Sequence, residues 1–141
     1  MTITNNAFNK KIKVPFFQPL ITDEDKKQVN KTLNATLLTD GPKLLEFEKD
    51  FAKFCGSKYA VGVSNATSAL HLSLICAEVS RGDEVIIPNL TFVATASSVL
   101  HSGATPVLAD IDSDTMNISI QSIKKNITKK TKAIIPVHFA G

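Results

Sequence analysis

Between Asp23 and Asn34 the stretch DEDKKQVNKTLN sets Val29 and Leu33 four residues apart on a polar background, which predicts an amphipathic surface helix. Thr22, with Asp25 three positions on, supplies its start signal. The turn TDGP, Thr39 to Pro42, then puts proline at the first position of a second helix, whose apolar stripe Leu45, Phe47, Phe51 and Phe54 ends at Gly56. From Lys58 the rhythm changes. Four apolar, β-branched runs follow, YAVGV, GDEVIIP, TPVLADI and KAIIPVHF, and helix-length segments separate them. Continuous apolar strands of this kind belong in parallel sheets covered on both faces, so the fold class is α/β, a mostly parallel sheet with helices on both faces. Gly82 and Gly103 are the turn signals that lead into two of the strands. There is no repeat of fixed period and no low-complexity linker; residues 1–57 form a helical lead-in and 58–141 a series of βα units. After the last strand only Ala140 and Gly141 follow, so the cover of that strand is expected from further chain or from a partner.

Composition narrows the function classes. An apolar share of 43% with 21% charged residues is that of an ordinary soluble globular protein, and 141 residues suffice for one core. The formal charge of +3 is small, and the only basic cluster, KKNITKKTK from Lys124 to Lys132, has no aromatic residues interleaved. It reads as a solvated helix end and turn, and no nucleic-acid partner is expected. The apolar runs are too short to cross a bilayer, and the first residues, MTITNNAFNKKIK, lack the apolar stretch of a secretory signal, so a cytoplasmic protein with no membrane partner is expected. Cys55 and Cys76 have neither a CxxC partner nor a histidine at metal-ligand spacing; they are expected to be buried thiols, with no disulfide framework and no metal site. His71 and His101 are expected to be structural.

The junction VGVSNATSALHLSL carries the chemistry. A strand ending at Val63, a turn through Ser64 and Asn65, and a helix beginning near Ala66 would aim free backbone N–H groups at the crevice beyond the strand ends. Those donors and the positive end of the helix dipole favour phosphate, Thr67 and Ser68 can add hydroxyls, and the small Ala66 leaves the backbone open to close approach. An equal reading of the same residues is that Ser64 or Asn65 simply caps the helix. A dinucleotide turn would need GxGxxG and a P-loop GxxxxGK with Ser or Thr; neither occurs. What is left is a compact phosphate cup without a glycine-rich loop.

The segments TDGPKLLEFEKDFAKFCGSKYAVGVSNATSALHLSL, GDEVIIPNLTFVATASSVLHSGATPVLADID, TMNISIQSIKK and TKAIIPVHFAG, in that order, resemble the amino-terminal portion of the DegT/DnrJ/EryC1/StrS family of pyridoxal-phosphate-dependent sugar aminotransferases. The resemblance runs from about Val14 to Gly141. It implies the large, cofactor-binding domain of the aspartate-aminotransferase (type I) fold, incomplete at its C-terminus. By this resemblance Asn65, Ala66 and Thr67 form the cofactor's phosphate-binding turn, with alanine where many members have glycine. Phe92, in NLTFVAT, falls where the family stacks an aromatic residue on the cofactor ring, an arrangement that gains dispersion and electrostatics on an electron-poor pyridine. His138, in PVHFAG, matches a recurring residue at a strand end and is a site-lining candidate. Asp110 and Asp112, in LADID, match a structural segment, and the TDGP turn is directed toward a neighbouring subunit's site.

The acid for the pyridine nitrogen and the Schiff-base lysine of the family both fall beyond Gly141, so no residue of the chain is assigned a catalytic role and the chain alone is expected to be inactive. The implied activity is conversion of a nucleotide-linked keto-sugar to an amino-sugar for cell-surface polysaccharide, with glutamate as amino donor. Two alternatives stand beside it: a sugar dehydratase of the same family, with histidine in the lysine's place, and a non-catalytic remnant that binds an anion or a partner chain through its last strand. A homodimer is expected, since the helix SALHLSLICAEV and the uncovered last strand both need burial.

Overall fold

The computed structural model describes residues 18–139. The polar start MTITNNAFNKKIK and the final Ala140 and Gly141 lie outside the described residues. Two compact units meet in sequence at Val61 and Gly62.

The first unit holds helices α1, Asp23–Leu33, and α2, Pro42–Cys55. The start of α1 is a reciprocal cap: the Asp25 N–H donates to Thr22 Oγ1 at 3.2 Å, and the Thr22 N–H donates to Asp25 Oδ2 at 2.7 Å. This hydrogen bonding to Thr22 backbone and hydroxyl holds the Asp25 carboxyl below its ordinary range. Pro42 opens α2, and Gly56 closes it in the left-handed region at φ +66°, where a Cβ would be strained. Gly41, just before α2, is required for a different reason: a Cβ there would come 2.6 Å from the Leu37 carbonyl oxygen. Within α2 only Ala52 is buried; Phe47, Phe51 and Phe54 share one side of the helix while Leu45 lies on the other, all four are exposed, and the Phe47 and Phe51 rings are 5.6 Å apart.

The second unit is a three-stranded parallel sheet with helices packed on it. In chain order it contains α3, Ala66–Cys76; β1, Glu84–Pro88; α4, Ala94–His101; β2, Thr105–Ala109; α5, Ile120–Asn126; and β3, Thr131–Ile134. The strand order is β2-β1-β3, both pairings are parallel, and a register shift interrupts the β1–β3 ladder between Glu84 and Val85. As the central strand, β1 is buried from Val85 through Pro88, the consequence of an apolar run with no polar alternation. Val85 and Ile87 share one face with Leu74 of α3, Val79, Val99 of α4 and Ala104, forming the core cluster. Ile86, on the opposite face, is also fully buried, so both faces of β1 are covered, as expected of an α/β parallel sheet. Each of the valine, leucine and isoleucine side chains among these contributes about 1.5–3 kcal/mol by leaving water.

Three expectations are corrected. The run YAVGV is not a strand: Tyr59–Val63 carries no regular secondary structure, and Val61 is 80% exposed. A strand exists through its ladder, and the sheet pairs β2, β1 and β3 without this run. Second, β3 begins one residue before KAIIPVHF, at Thr131, and takes in only Lys132, Ala133 and Ile134 of that run; one further bond, Ile135 N–H to Ile86 O at 2.9 Å, follows before Pro136, which has no N–H to give. Third, Cys55 and Cys76 are exposed; Cys76 comes two positions after the buried Leu74 and so points to the other side of α3. Among the described residues no helix is long and apolar enough to cross a membrane.

Candidate functional site

Helix α3 begins as the sequence pattern demands. Asn65 sits in extended backbone at its N-cap, and its Oδ1 accepts the Ser68 N–H at 2.9 Å. Ser64 and Ser68 hydroxyls lie 3.2 Å apart, and Asn65 Nδ2 donates to Ser64 Oγ at 3.3 Å. The cap therefore consumes one first-turn donor and leaves the N–H groups of Ala66 and Thr67 without a partner among the described residues. Capping and anion binding are thus compatible on the same turn, and Ala66 is exposed.

The direction of α3 places this turn. Its last residue leads through the turn at Ala77–Asp83 straight to the start of β1, and α4 likewise returns through Gly103 to the start of β2. An 11-residue helix and a five-residue strand each span about 16 Å. With Leu74 and Val99 packed in one cluster on β1, both helices run against the strands, so both helix starts lie toward the carboxyl edge of the sheet.

Phe92 belongs to that edge. It lies in the connection between β1 and α4, 77% exposed, with its carbonyl accepting the Thr95 N–H at 3.0 Å. Behind it, Thr91 and the buried Thr95 share a 2.8 Å hydroxyl contact, and Ser98 Oγ donates to Thr95 O at 2.9 Å, so the polar groups inside α4 are all satisfied. At the end of β2, Asp110 Oδ1 accepts from Asn89 Nδ2 at 3.0 Å and from the Ile111 N–H at 2.9 Å. Asp112 closes the next loop: its Oδ1 accepts the N–H groups of Asp114 and Thr115, each at 3.0 Å, and the Thr115 hydroxyl at 3.1 Å. The backbone bond from Thr115 is foremost in holding the Asp112 carboxyl below its ordinary range. At the end of this loop Asn117 Oδ1 accepts the Phe139 N–H at 3.1 Å, next to the exposed His138 beyond β3.

Phe92 and His138 thus follow β1 and β3 to the same edge, which the start of α3 also faces, while no hydrogen bond links the Asn65–Thr67 turn to either of them among the described residues. Asp110 and Asp112 are occupied in loop hydrogen bonds, in keeping with a structural part. Sequence reasoning missed Asn89 and Asn117. An asparagine directly after an apolar strand was the available signal for Asn89; a bond spanning 22 residues left none for Asn117.

Comparison with known proteins identifies the chain's relatives. The model of the DegT/DnrJ/EryC1/StrS aminotransferase family matches residues 19–141. The spore coat polysaccharide biosynthesis protein SpsC of Bacillus subtilis (strain 168) is 47% identical over 128 residues, which is 91% of this chain and 33% of that protein. Among solved structures, Helicobacter pylori PseC, an aminotransferase involved in the biosynthesis of pseudoaminic acid, is 40% identical with a TM-score of 0.78, over 87% of this chain and 33% of its own. NtdA from Bacillus subtilis, solved with bound cofactor PMP, is 38% identical with a TM-score of 0.79, over 92% of this chain and 32% of its own. The chain spans about a third of the length of these relatives.

Proposed function

Because the chain belongs to the DegT/DnrJ/EryC1/StrS aminotransferase family, we propose that it forms the amino-terminal part of the cofactor-binding domain of a nucleotide-sugar aminotransferase. The reaction class is transfer of an amino group to a nucleotide-linked keto-sugar, with an amino acid such as glutamate as donor and pyridoxal 5′-phosphate as cofactor. The observation that carries this reading is the start of α3: a capped helix end with two uncommitted N–H groups, at Ala66 and Thr67, facing the edge that bears the exposed Phe92 ring.

These residues fit the cofactor. The Ala66 and Thr67 N–H groups and the Thr67 hydroxyl would take the phosphate, with the helix dipole behind them. The open face of Phe92 would lie on the pyridine ring, and His138 would line the same edge. When bound, the cofactor supplies an electron sink for chemistry at the amino-bearing carbon. The chain's own residues bind and orient it; Asp110 and Asp112 are held by their loops and take no part at the pyridine nitrogen. The exposed apolar faces of α2 and α3, Phe54 at 88% and Ile75 at 49% among them, support assembly as a homodimer.

The test is calorimetric titration with pyridoxamine 5′-phosphate, whose amine cannot condense with surface lysines as an aldehyde would. Thr67→Ala and Phe92→Ala are each expected to weaken binding about tenfold, or about 1.4 kcal/mol. Unchanged affinity in both variants would sink the reading.

A further inference from the structure

We propose that Asn117 is a positioning residue for this edge, its Oδ1 fixing where the backbone that carries His138 leaves the sheet. The role in ligand binding rests on the function proposed above; the tie itself rests on geometry alone. Beyond Ile135 the ladder to β1 is finished, and proline at 136 offers no donor. Among the described residues, the hydrogen bond that then holds 136–139 is the one from the Phe139 N–H to Asn117 Oδ1, at 3.1 Å and half-buried.

Asn117 can act as an anchor because its own backbone is held from several sides. The Asp112 N–H donates to Asn117 O at 2.9 Å, and the Met116 N–H donates to Asp112 O at 2.9 Å. Met116 takes a left-handed turn at φ +58°, which brings Ile111 and Ile118 into an antiparallel bridge beside Asn117. The Ser119 N–H closes the loop onto Asp110 O at 2.8 Å, and α5 then packs on β2. A rigid loop on β2 thus reaches across to the segment leaving β3. Without it that segment has Pro136 and its own side chains to hold it, and His138 would sample several positions.

Three variants separate the tie from the site. Asn117→Ala deletes the acceptor, Asn117→Asp keeps an oxygen in its place, and Thr67→Ala reports on the phosphate cup. The readouts are amide exchange at Phe139, the His138 imidazole proton resonance and the affinity for pyridoxamine 5′-phosphate. Asn117→Ala is expected to speed Phe139 exchange about tenfold, move the His138 resonance and weaken binding about tenfold, while Asn117→Asp returns all three to within about twofold of the parent. Phe139 exchange and the His138 resonance unmoved by Asn117→Ala would overturn the tie, as would an Asn117→Asp variant no better than alanine. If Asn117→Ala frees Phe139 but leaves binding intact while Thr67→Ala weakens it, the ligand role of Asn117 is overturned and the cofactor reading stands. If neither variant weakens binding although Phe139 is freed, the cofactor reading fails and the ligand role of Asn117 with it.

Discussion

Asn89 donates from Nδ2 to Oδ1 of Asp110 at 3.0 Å, joining side chains 21 residues apart at the carboxyl ends of the adjacent strands β1 and β2. The backbone repeats the link, since the Asn89 N–H donates to Ala109 O at 2.9 Å. The rim on which Phe92 stands is thereby stiffened by two bonds to its neighbour. Both side chains are exposed, so each substitution, Asn89→Ala or Asp110→Ala, is expected to cost about 1 kcal/mol. The coupling in a double-mutant cycle, measured by urea unfolding, is expected near 0.5–1 kcal/mol. Strict additivity of the two costs would mean that the bond does not form in solution.

Position in the sheet decides what an apolar residue contributes. Ile86 is fully buried in the central strand, whereas Leu108 on β2, the cross-strand partner of Ile87, is 62% exposed. Ile86→Ala leaves a cavity under both flanking strands and is expected to cost about 2–5 kcal/mol. Leu108→Ala, which removes a side chain already in water, is expected to change stability by less than about 0.5 kcal/mol in the isolated chain. Urea midpoints of the two variants give the comparison directly. Similar midpoints would show that the sheet edge at β2 is buried in solution.

Local signals in the sequence were enough for every feature that local physics controls. Thr22 with Asp25, Pro42 with Gly56, and Asn65 before Ala66 mark helix ends through bonds made within three or four residues, and the structure has each of them. The apolar run of β1 likewise reads as a buried parallel strand without knowledge of its partners. Pairing is where sequence reading stops. YAVGV has the composition of a strand, but a ladder depends on what lies alongside, which no window around Tyr59–Val63 contains. The same holds for Cys55 and Cys76, whose exposure depends on which helix face finds a neighbour, and for Asn117, whose partner is 22 residues away.

Helix α3 ends in a strained turn that a single substitution can relieve. Glu78 adopts φ +58° while the Val79 N–H bonds to Leu74 O at 3.0 Å, and both Leu74 and Val79 are buried in the core cluster. This is the position after a helix where glycine is preferred, because a Cβ in the left-handed region costs roughly 1–2 kcal/mol. Glycine also gains freedom in the unfolded chain, which offsets part of that. Glu78→Gly is therefore expected to stabilise the protein by about 0.5–1 kcal/mol, read as a higher urea midpoint with an unchanged slope. A lower midpoint would show that Glu78 makes a favourable contact in solution that outweighs its backbone strain.

Acid is expected to loosen the loop that holds Asn117. The Asp112 carboxylate is stabilised in its charged form by the Thr115 and Asp114 N–H groups and by the Thr115 hydroxyl, so its pKa is lower folded than unfolded. Its contribution to stability is then complete above the unfolded value, near pH 3.9, and is lost as pH falls through the lower folded value. Asp25 and Glu46 are shifted in the same direction, by Thr22 and by Lys43 respectively, and add to the same acid-side loss. Asp112→Asn removes one titrating group and keeps an acceptor. It is expected to lower stability at about pH 6 and to flatten, without abolishing, the fall between about pH 5 and about pH 2. The local signature is faster amide exchange at Thr115 in this variant near neutral pH. A variant whose stability falls with acid as steeply as the parent's would show that Asp112 titrates alike in the folded and unfolded chain.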